Sequence, residues 1–469
     1  MKIANGEQRS RWAPLDGPRL AGAALAILVL AIPGRTTGAQ SIADRHRSVA
    51  QRIIARAVSD SFAWHRLAEL TETFGHRLSG SASLERAIDW ILEEMRRDGL
   101  ENVRGEPVLV PHWVRGEESL ELVQPRRELL PMLGLGGSVG TPADGIEAEL
   151  VAVRSFQELM ERSAEARGRI VLFNVPFTTY GETVRYRTTG AVAAAKAGAV
   201  AALLRSVTPY SMRTPHTGAT SYESGVQPIP FAAVAPEDAD MLERMIARGS
   251  RPVVRLKMGA RTLPDAQSRN VVAELVGREH PEEVVVLGGH IDSWDVGRGA
   301  MDDAGGVVAA WEAVRILKEL GLRPRRTLRI VGWTNEENGL RGGNAYRDKY
   351  RDQLGQHVLA IESDAGVFKP IGFGFTGSDS AFQFVQQIGH LLEPIGASTI
   401  TRGGGGADIA PIMAHGVPGM GLNVDGSRYF WYHHSHADTV DKLDPADLAL
   451  CVAALAVVAY VAAEEGVPR

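Results

Sequence analysis

A single cysteine, Cys451, occurs in the 469 residues, so no intrachain disulfide can brace the chain. It sits in the apolar run from Leu448 to Val461, where a lone thiol fits a buried core position. The chain also lacks an excess of positive charge. Its 51 Lys and Arg stand against 56 Asp and Glu, a formal charge of −5, which excludes the basic stripe with which nucleic-acid binders neutralise phosphates. No nucleic-acid partner is expected. Nor is the chain short of apolar residues: 44% are hydrophobic and 23% charged, outside the range of disordered sequences. No solenoid-period repeat occurs, and no low-complexity tract beyond Gly403 to Gly406. What is there is a globular chain long enough for two or three domains at about 150 residues each.

The first 39 residues read as an export signal. Lys2, Arg9, Arg11 and Arg19 precede the apolar run Leu20 to Ile32, and Thr37-Gly38-Ala39 offers a small-residue cleavage site before Gln40. Thirteen apolar residues fall short of the span a bilayer requires, which is ~20. Cleavage removes five basic and two acidic residues and takes the charge from −5 to −8. The expectation is an acidic, exported protein, secreted or periplasmic. No cysteine near the cleavage site offers a lipid anchor, and no apolar run outside the leader is read as long enough to span a membrane.

Residues 62 to 99 read as helical, with Leu84, Ala87, Ile88, Ile91, Leu92 and Met95 on one face and Gly99 as a stop. From 126 to 264 the texture changes to short apolar strands such as Arg169 to Phe173 and Val253 to Leu256, around an alanine-rich helix near Ala191 to Ala202. That stretch reads as an inserted module. Residues 40 to 125 would precede it as the first part of the main domain, and residues 265 to 469 would complete that domain. After Asn270 strands and helices alternate: Val284 to Leu287, Val307 to Leu320, Leu328 to Trp333, Val358 to Ile361. Near-continuous apolar strands alternating with helices predict an α/β fold, a mainly parallel sheet with helices on both faces.

In such sheets the ligand crevice lies beyond the carboxyl ends of the strands, so the residues following each strand carry the information. They are acidic residues and histidines. Val284 to Leu287 leads to His290-Ile291-Asp292; Asp302 and Asp303 come just before a helix; Leu328 to Trp333 leads to Asn335-Glu336-Glu337; Val358 to Ile361 leads to Glu362-Ser363-Asp364. His433-His434-Ser435-His436-Ala437-Asp438-Thr439 precedes the C-terminal helix. Taken singly, each has an ordinary explanation: a surface pair, a solvated acidic turn, helix-capping carboxylates. Together they bring imidazole and carboxylate donors suited to zinc to one rim.

His290-Ile291-Asp292, Gly299-Ala300-Met301-Asp302-Asp303, Asn335-Glu336-Glu337, Asp364 and His434-Ser435-His436-Ala437-Asp438-Thr439 resemble the five motifs of the co-catalytic di-zinc aminopeptidase family. A narrower likeness, to carboxypeptidase members, rests on Gly289 to Gly297, Glu362 to Gly366, His433 to His436 and, upstream, Gly75 to Ser81. The resemblance covers nearly the whole chain after the leader. It implies that residues 126 to 264 are a protease-associated insert, that His290 and Asp364 hold one zinc, that Glu337 and His434 hold a second, and that Asp302 bridges them. Glu336 would be the general base, and Asp292 would accept the other imidazole N–H of His290, fixing its tautomer. Two departures from the family stand in the loops: Asn335 where alanine is common, and Gly405-Gly406-Ala407-Asp408 in place of a more polar stretch.

The resemblance thus implies an exported zinc peptidase acting on dipeptides or short peptides, by a hydroxide bridging two Zn2+ ions, and working as a homodimer. Which peptide terminus is anchored stays open, so an aminopeptidase is the near alternative. A one-zinc glutaminyl cyclase and a non-catalytic receptor-like protein are the distant ones. Three histidines within four residues leave the ligand register at 433 to 436 open on the residues alone; the family's spacing selects His434.

Overall fold

The computed structural model describes residues 41 to 468, so the expected leader at 1–39 and its cleavage before Gln40 lie outside the described residues. Two eight-stranded sheets form the frame. In the first, the strands His280–His290, Arg326–Trp333, His357–Glu362 and Gly419–Val424 make a parallel centre. Antiparallel pairs flank it on both sides, through Arg261–Leu275 at one and Pro370–Thr376 at the other. The period-2 alternation of side chains explains why the central strands read as unbroken apolar runs. Val285 and Leu287 enter one core with the helices Gly305–Glu319 and Pro445–Glu465, while Val284 and Val286 enter another with Tyr346, Leu354 and Ile412.

The helix Pro445–Glu465 corrects one expectation. Its 21 residues are long and apolar enough to cross a membrane by length and composition. From Leu448 to Ala463 nearly every side chain, Cys451 included, is nonetheless buried between the sheet and the helix Ile42–Val58. It is a core helix. Ile42–Val58 itself was not anticipated, since its stripe of Ala43, Ala50, Ile53, Ile54 and Ala57 is diluted by arginines.

The helix expected over 62–99 is two, Phe62–Phe74 and Ala82–Arg97, parted by a loop that starts at Gly75 with φ 66°. The loop exists to carry Arg77 inward. Fully buried, Arg77 donates from Nε to the Ile291 carbonyl (2.7 Å), from Nη1 to that of Arg298 (2.8 Å) and from Nη2 to that of Gly299 (2.8 Å). It ties together the two ends of the loop that follows the His290 strand.

The second sheet draws its strands from between Glu118 and Met258. The long strands Glu101–Val114 and Arg261–Leu275, paired antiparallel from Glu101 opposite Glu274 to Val114 opposite Arg261, lead into and out of it. Its alanine-rich helix is Tyr180–Lys196; Ala201 and Ala202, expected to extend that helix, begin the strand Ala201–Arg205 instead. A turn at Ala197 to Gly198, with Gly198 at φ 83°, separates the two.

One buried histidine makes the fold acid-sensitive. His357 donates from Nδ1 to the Gln353 carbonyl (3.1 Å) and accepts the Tyr346 hydroxyl at Nε2 (2.9 Å), and burial drives its pKa from 6.5 down to about 4. Between those values the unfolded chain takes up a proton that the fold refuses. The contribution is therefore complete above pH 6.5 and declines as pH falls towards 4, by up to about 3 kcal/mol. Denaturant midpoints at pH 7 and pH 4.5 should lie closer together in His357→Gln than in the unaltered protein.

Candidate metal centre

His290 ends its strand with Nε2 3.2 Å from Asp302 Oδ1 and 3.3 Å from Asp364 Oδ1. His434, from the loop before the C-terminal helix, places Nε2 3.3 Å from Asp302 Oδ2 and 3.0 Å from Glu337 Oε2. The two oxygens of one carboxylate thus face two separate donor sets. Glu336 lies beside the first set, its Oε2 4.0 Å from His290 Nε2. Asp302, Asp364, Glu336, Glu337 and His434 line a cavity of about 490 Å³ together with Tyr180, Arg187, Tyr429, Phe430 and His433, and His290 lies buried behind its wall.

The turn after Trp333 separates the adjacent glutamates. Asn335 adopts φ 67°, and the Asp292 carboxylate accepts the Glu336 N–H (3.1 Å) and the Glu337 N–H (3.3 Å). With both amides bound, the Glu337 side chain reaches His434 and the Glu336 side chain the cavity wall near His290. Asp292 meets His290 through its main chain. The His290 Nδ1–H is received by the backbone carbonyl of Asp292 at 2.9 Å, while the Asp292 carboxylate, 3.9 Å from that nitrogen, is committed to the glutamate turn. The tautomer of His290 is still fixed by residue 292, through its main chain. Asp303, behind Asp302, accepts the His290 N–H (3.1 Å) and the Gly306 N–H (3.0 Å), joining strand end to helix start.

Several groups at the centre had no role in the sequence reading. Asp438 accepts the N–H groups of Ala300 (3.0 Å), Met301 (2.7 Å) and Asp302 (3.2 Å), so the His434 loop dictates where Asp302 points. Arg187 reaches in from the helix Tyr180–Lys196 of the second sheet, donating from Nη2 to the Tyr180 hydroxyl (2.9 Å), with Nη1 3.4 Å from His434 Nδ1. A Cβ on Gly218 would come within 2.4 Å of its guanidinium carbon, so the residue there must be glycine. Asp438 stood inside a recognised motif. Nothing in the local sequence marks Arg187.

The donor set fits a metal. Asp302 Oδ2 is buried without a hydrogen-bond partner, an acceptor with a lone pair unspent. Burial first and the Asp302 charge second push Glu337 up to about 7. Against burial, Glu337 and Asp302 lift the His434 imidazole to about 9. Crowded carboxylates that draw protons onto their neighbours are what divalent cations neutralise, and imidazole with carboxylate is the chemistry zinc takes. Of the remaining histidines, His433 stacks on His434 with ring centroids 3.5 Å apart and its Nε2 3.8 Å from Asp302 Oδ2. His436 is exposed.

The model of peptidase family M28 matches residues 270–459. Carboxypeptidase Q of Xenopus laevis is 50% identical over 429 residues, spanning 90% of this chain and 92% of its own length. Carboxypeptidase Q of Homo sapiens is 48% identical, spanning 90% of each. Among solved structures, a peptidase M28 precursor from Shewanella amazonensis superposes with a TM-score of 0.87 at 35% identity, over 91% of this chain and 99% of its own.

Proposed function

The chain belongs to the carboxypeptidase Q family within peptidase family M28, and on that premise we propose that it is a two-zinc carboxypeptidase of dipeptides and short peptides, exported from the cell that makes it. As a member it is a metallo-exopeptidase. The observation that carries the finer reading is Asp302, whose two oxygens face separate donor sets at 3.2 and 3.3 Å. His290, Asp364 and Asp302 would hold one zinc; Glu337, His434 and Asp302 the other. When bound, the pair would supply Lewis acidity for the scissile carbonyl and lower the pKa of the attacking water towards neutrality. Glu336, outside both sets and at the cavity wall, takes the proton from that water and hands it to the leaving amine nitrogen. The leader at 1–39 supports export, and the family resemblance supports a homodimer and a protease-associated identity for the second sheet.

Arg187 selects the peptide end. Four carboxylates, Asp302, Asp364, Glu336 and Glu337, balance two doubly charged ions, and the buried guanidinium remains without an acidic partner among the described residues. Its Nε is buried and unbonded. A buried cation left unpaired is costly, and the free carboxylate of a bound peptide supplies the missing anion. A hydrogen bond to a charged group is worth about 1.5–3 kcal/mol, so Arg187→Met should lower kcat/KM on unblocked dipeptides by about 10- to 150-fold. On C-terminal amides the same variant should change little. A screen of peptides blocked at either end reads both; equal cleavage of acids and amides, with equal losses in the variant, would establish the aminopeptidase mode instead.

A further inference from the structure

The ligand His434 sits in a conformation that its own loop does not explain. Its φ is 59°, in the left-handed region, where a residue with a Cβ is held only if its surroundings hold it. The two carbonyls bracketing that strained position, those of His433 and His434, are both bound by the segment joining the strands Ala201–Arg205 and Phe231–Val234 of the second sheet. There they meet consecutive residues: His216 Nδ1 at 2.6 Å from the His433 oxygen, and the Thr217 N–H at 2.9 Å from the His434 oxygen.

The receiving segment is itself fixed. The His216 N–H donates to Ser206 Oγ (2.8 Å), and Ser206 is bonded through both its N–H (3.0 Å) and its hydroxyl (2.8 Å) to the Val234 carbonyl at the end of the strand Phe231–Val234. Thr217 Oγ1 donates to the Gly134 carbonyl at 2.8 Å. The two donors lie in a loop that is hydrogen-bonded to strand ends of the second sheet.

His216 is an expensive choice for a structural residue. A carbonyl only accepts, so its proton is on Nδ1, and Nε2 is left as a bare acceptor, buried at 2% exposure with no partner. A side chain kept only to fill this space would be apolar.

We propose that His216 is a positioning residue for the metal ligand His434: by binding the His433 carbonyl it holds the left-handed turn that aims the His434 imidazole at Glu337 and Asp302. The second sheet is then a working part of one metal position, and the other, built by His290 and Asp364 on the main sheet, does not depend on it. This rests on His434 being a ligand, as argued above.

Zinc titrations against a competing chelator, on the full mature chain, test it with His216→Leu, His216→Asn and His434→Ala. His216→Leu should weaken one of two zincs by about 10- to 100-fold, the usual effect of losing a partner that orients a ligand, and leave the other as tight as before. It removes the orphaned Nε2 and also leaves the His433 carbonyl unpaired, so the melting temperature of its metal-free form should change little. His216→Asn, whose amide nitrogen falls where Nδ1 was, should recover most of the lost affinity. Should His216→Leu not fold, His216→Phe, which keeps a ring and loses both nitrogens, is read the same way. Two tight zincs in the Leu or Phe variant overturn the proposal, as does a matched loss at both zincs with a lowered metal-free melting temperature, which marks a general packing role. Two tight zincs in His434→Ala overturn the ligand assignment itself.

Discussion

Replacing Glu336 by glutamine should leave both zinc ions bound and lower turnover by about 10²- to 10⁴-fold, the usual effect of losing a positioned general base. The substitution preserves shape. It leaves the turn intact, because residues 336 and 337 are held through their N–H groups by the Asp292 carboxylate, at 3.1 and 3.3 Å, and not through the Glu336 side chain. It removes the one capacity the mechanism requires of that side chain, to accept a proton and release it to the leaving amine. Zinc content and kcat measured on the same preparation decide the matter. Near-normal turnover would mean that the base is another group. Loss of one zinc together with activity would mean that Glu336, whose Oε2 lies 4.0 Å from His290 Nε2, is itself a ligand of the first set. The neighbouring Glu337→Gln is the contrast: its Oε2 is 3.0 Å from His434 Nε2, and its effect should appear first in metal affinity.

The main-sheet half of this centre was legible in the sequence because parallel strands announce themselves twice, as short apolar runs and by the loops that must follow them. His290, Asp302, Glu336, Glu337 and Asp364 all follow such runs, and the structure gathers them. What periodicity does not carry is a contact between distant segments. Arg187 and His216 lie 247 and 217 residues from their partners His434 and His433, on an inserted sheet whose own pattern speaks only of its own core. The break between Phe74 and Ala82 was missed for a related reason: an arginine that binds main-chain carbonyls of another loop looks, in sequence, like a solvated helix residue. Asp292 shows a finer limit. A residue offers its carbonyl as well as its side chain, and spacing alone cannot say which one meets the imidazole.

The Asp302→Ala variant should lose both zincs, whereas His290→Ala should lose one. Asp302 has one oxygen 3.2 Å from the imidazole of the first set and the other 3.3 Å from that of the second, so its removal takes a ligand from each. Losing even an outer partner costs about 10–100-fold in metal affinity, and losing a direct ligand at both positions should exceed that at each. Its neighbour Asp303 supplies the control, because it is as buried but spends its oxygens on the N–H groups of His290 and Gly306. Alanine at 303 leaves two buried donors unpaired, at about 1–3 kcal/mol each. That variant should therefore melt lower while retaining metal better than Asp302→Ala. Removing the Asp302 charge relieves repulsion among the crowded carboxylates, since Asp302 is among the groups that push Glu337, Asp364 and Asp438 upward. It also takes away the anion that, against burial, the His290 and His434 imidazoles hold well below the usual carboxylate range. These two effects oppose each other in the metal-free protein, so the larger defect of Asp302→Ala should show when zinc is added. A chelator titration and a metal-free melt on the two variants separate the roles: Asp303→Ala emptied with Asp302→Ala full would exchange the assignments of the two aspartates.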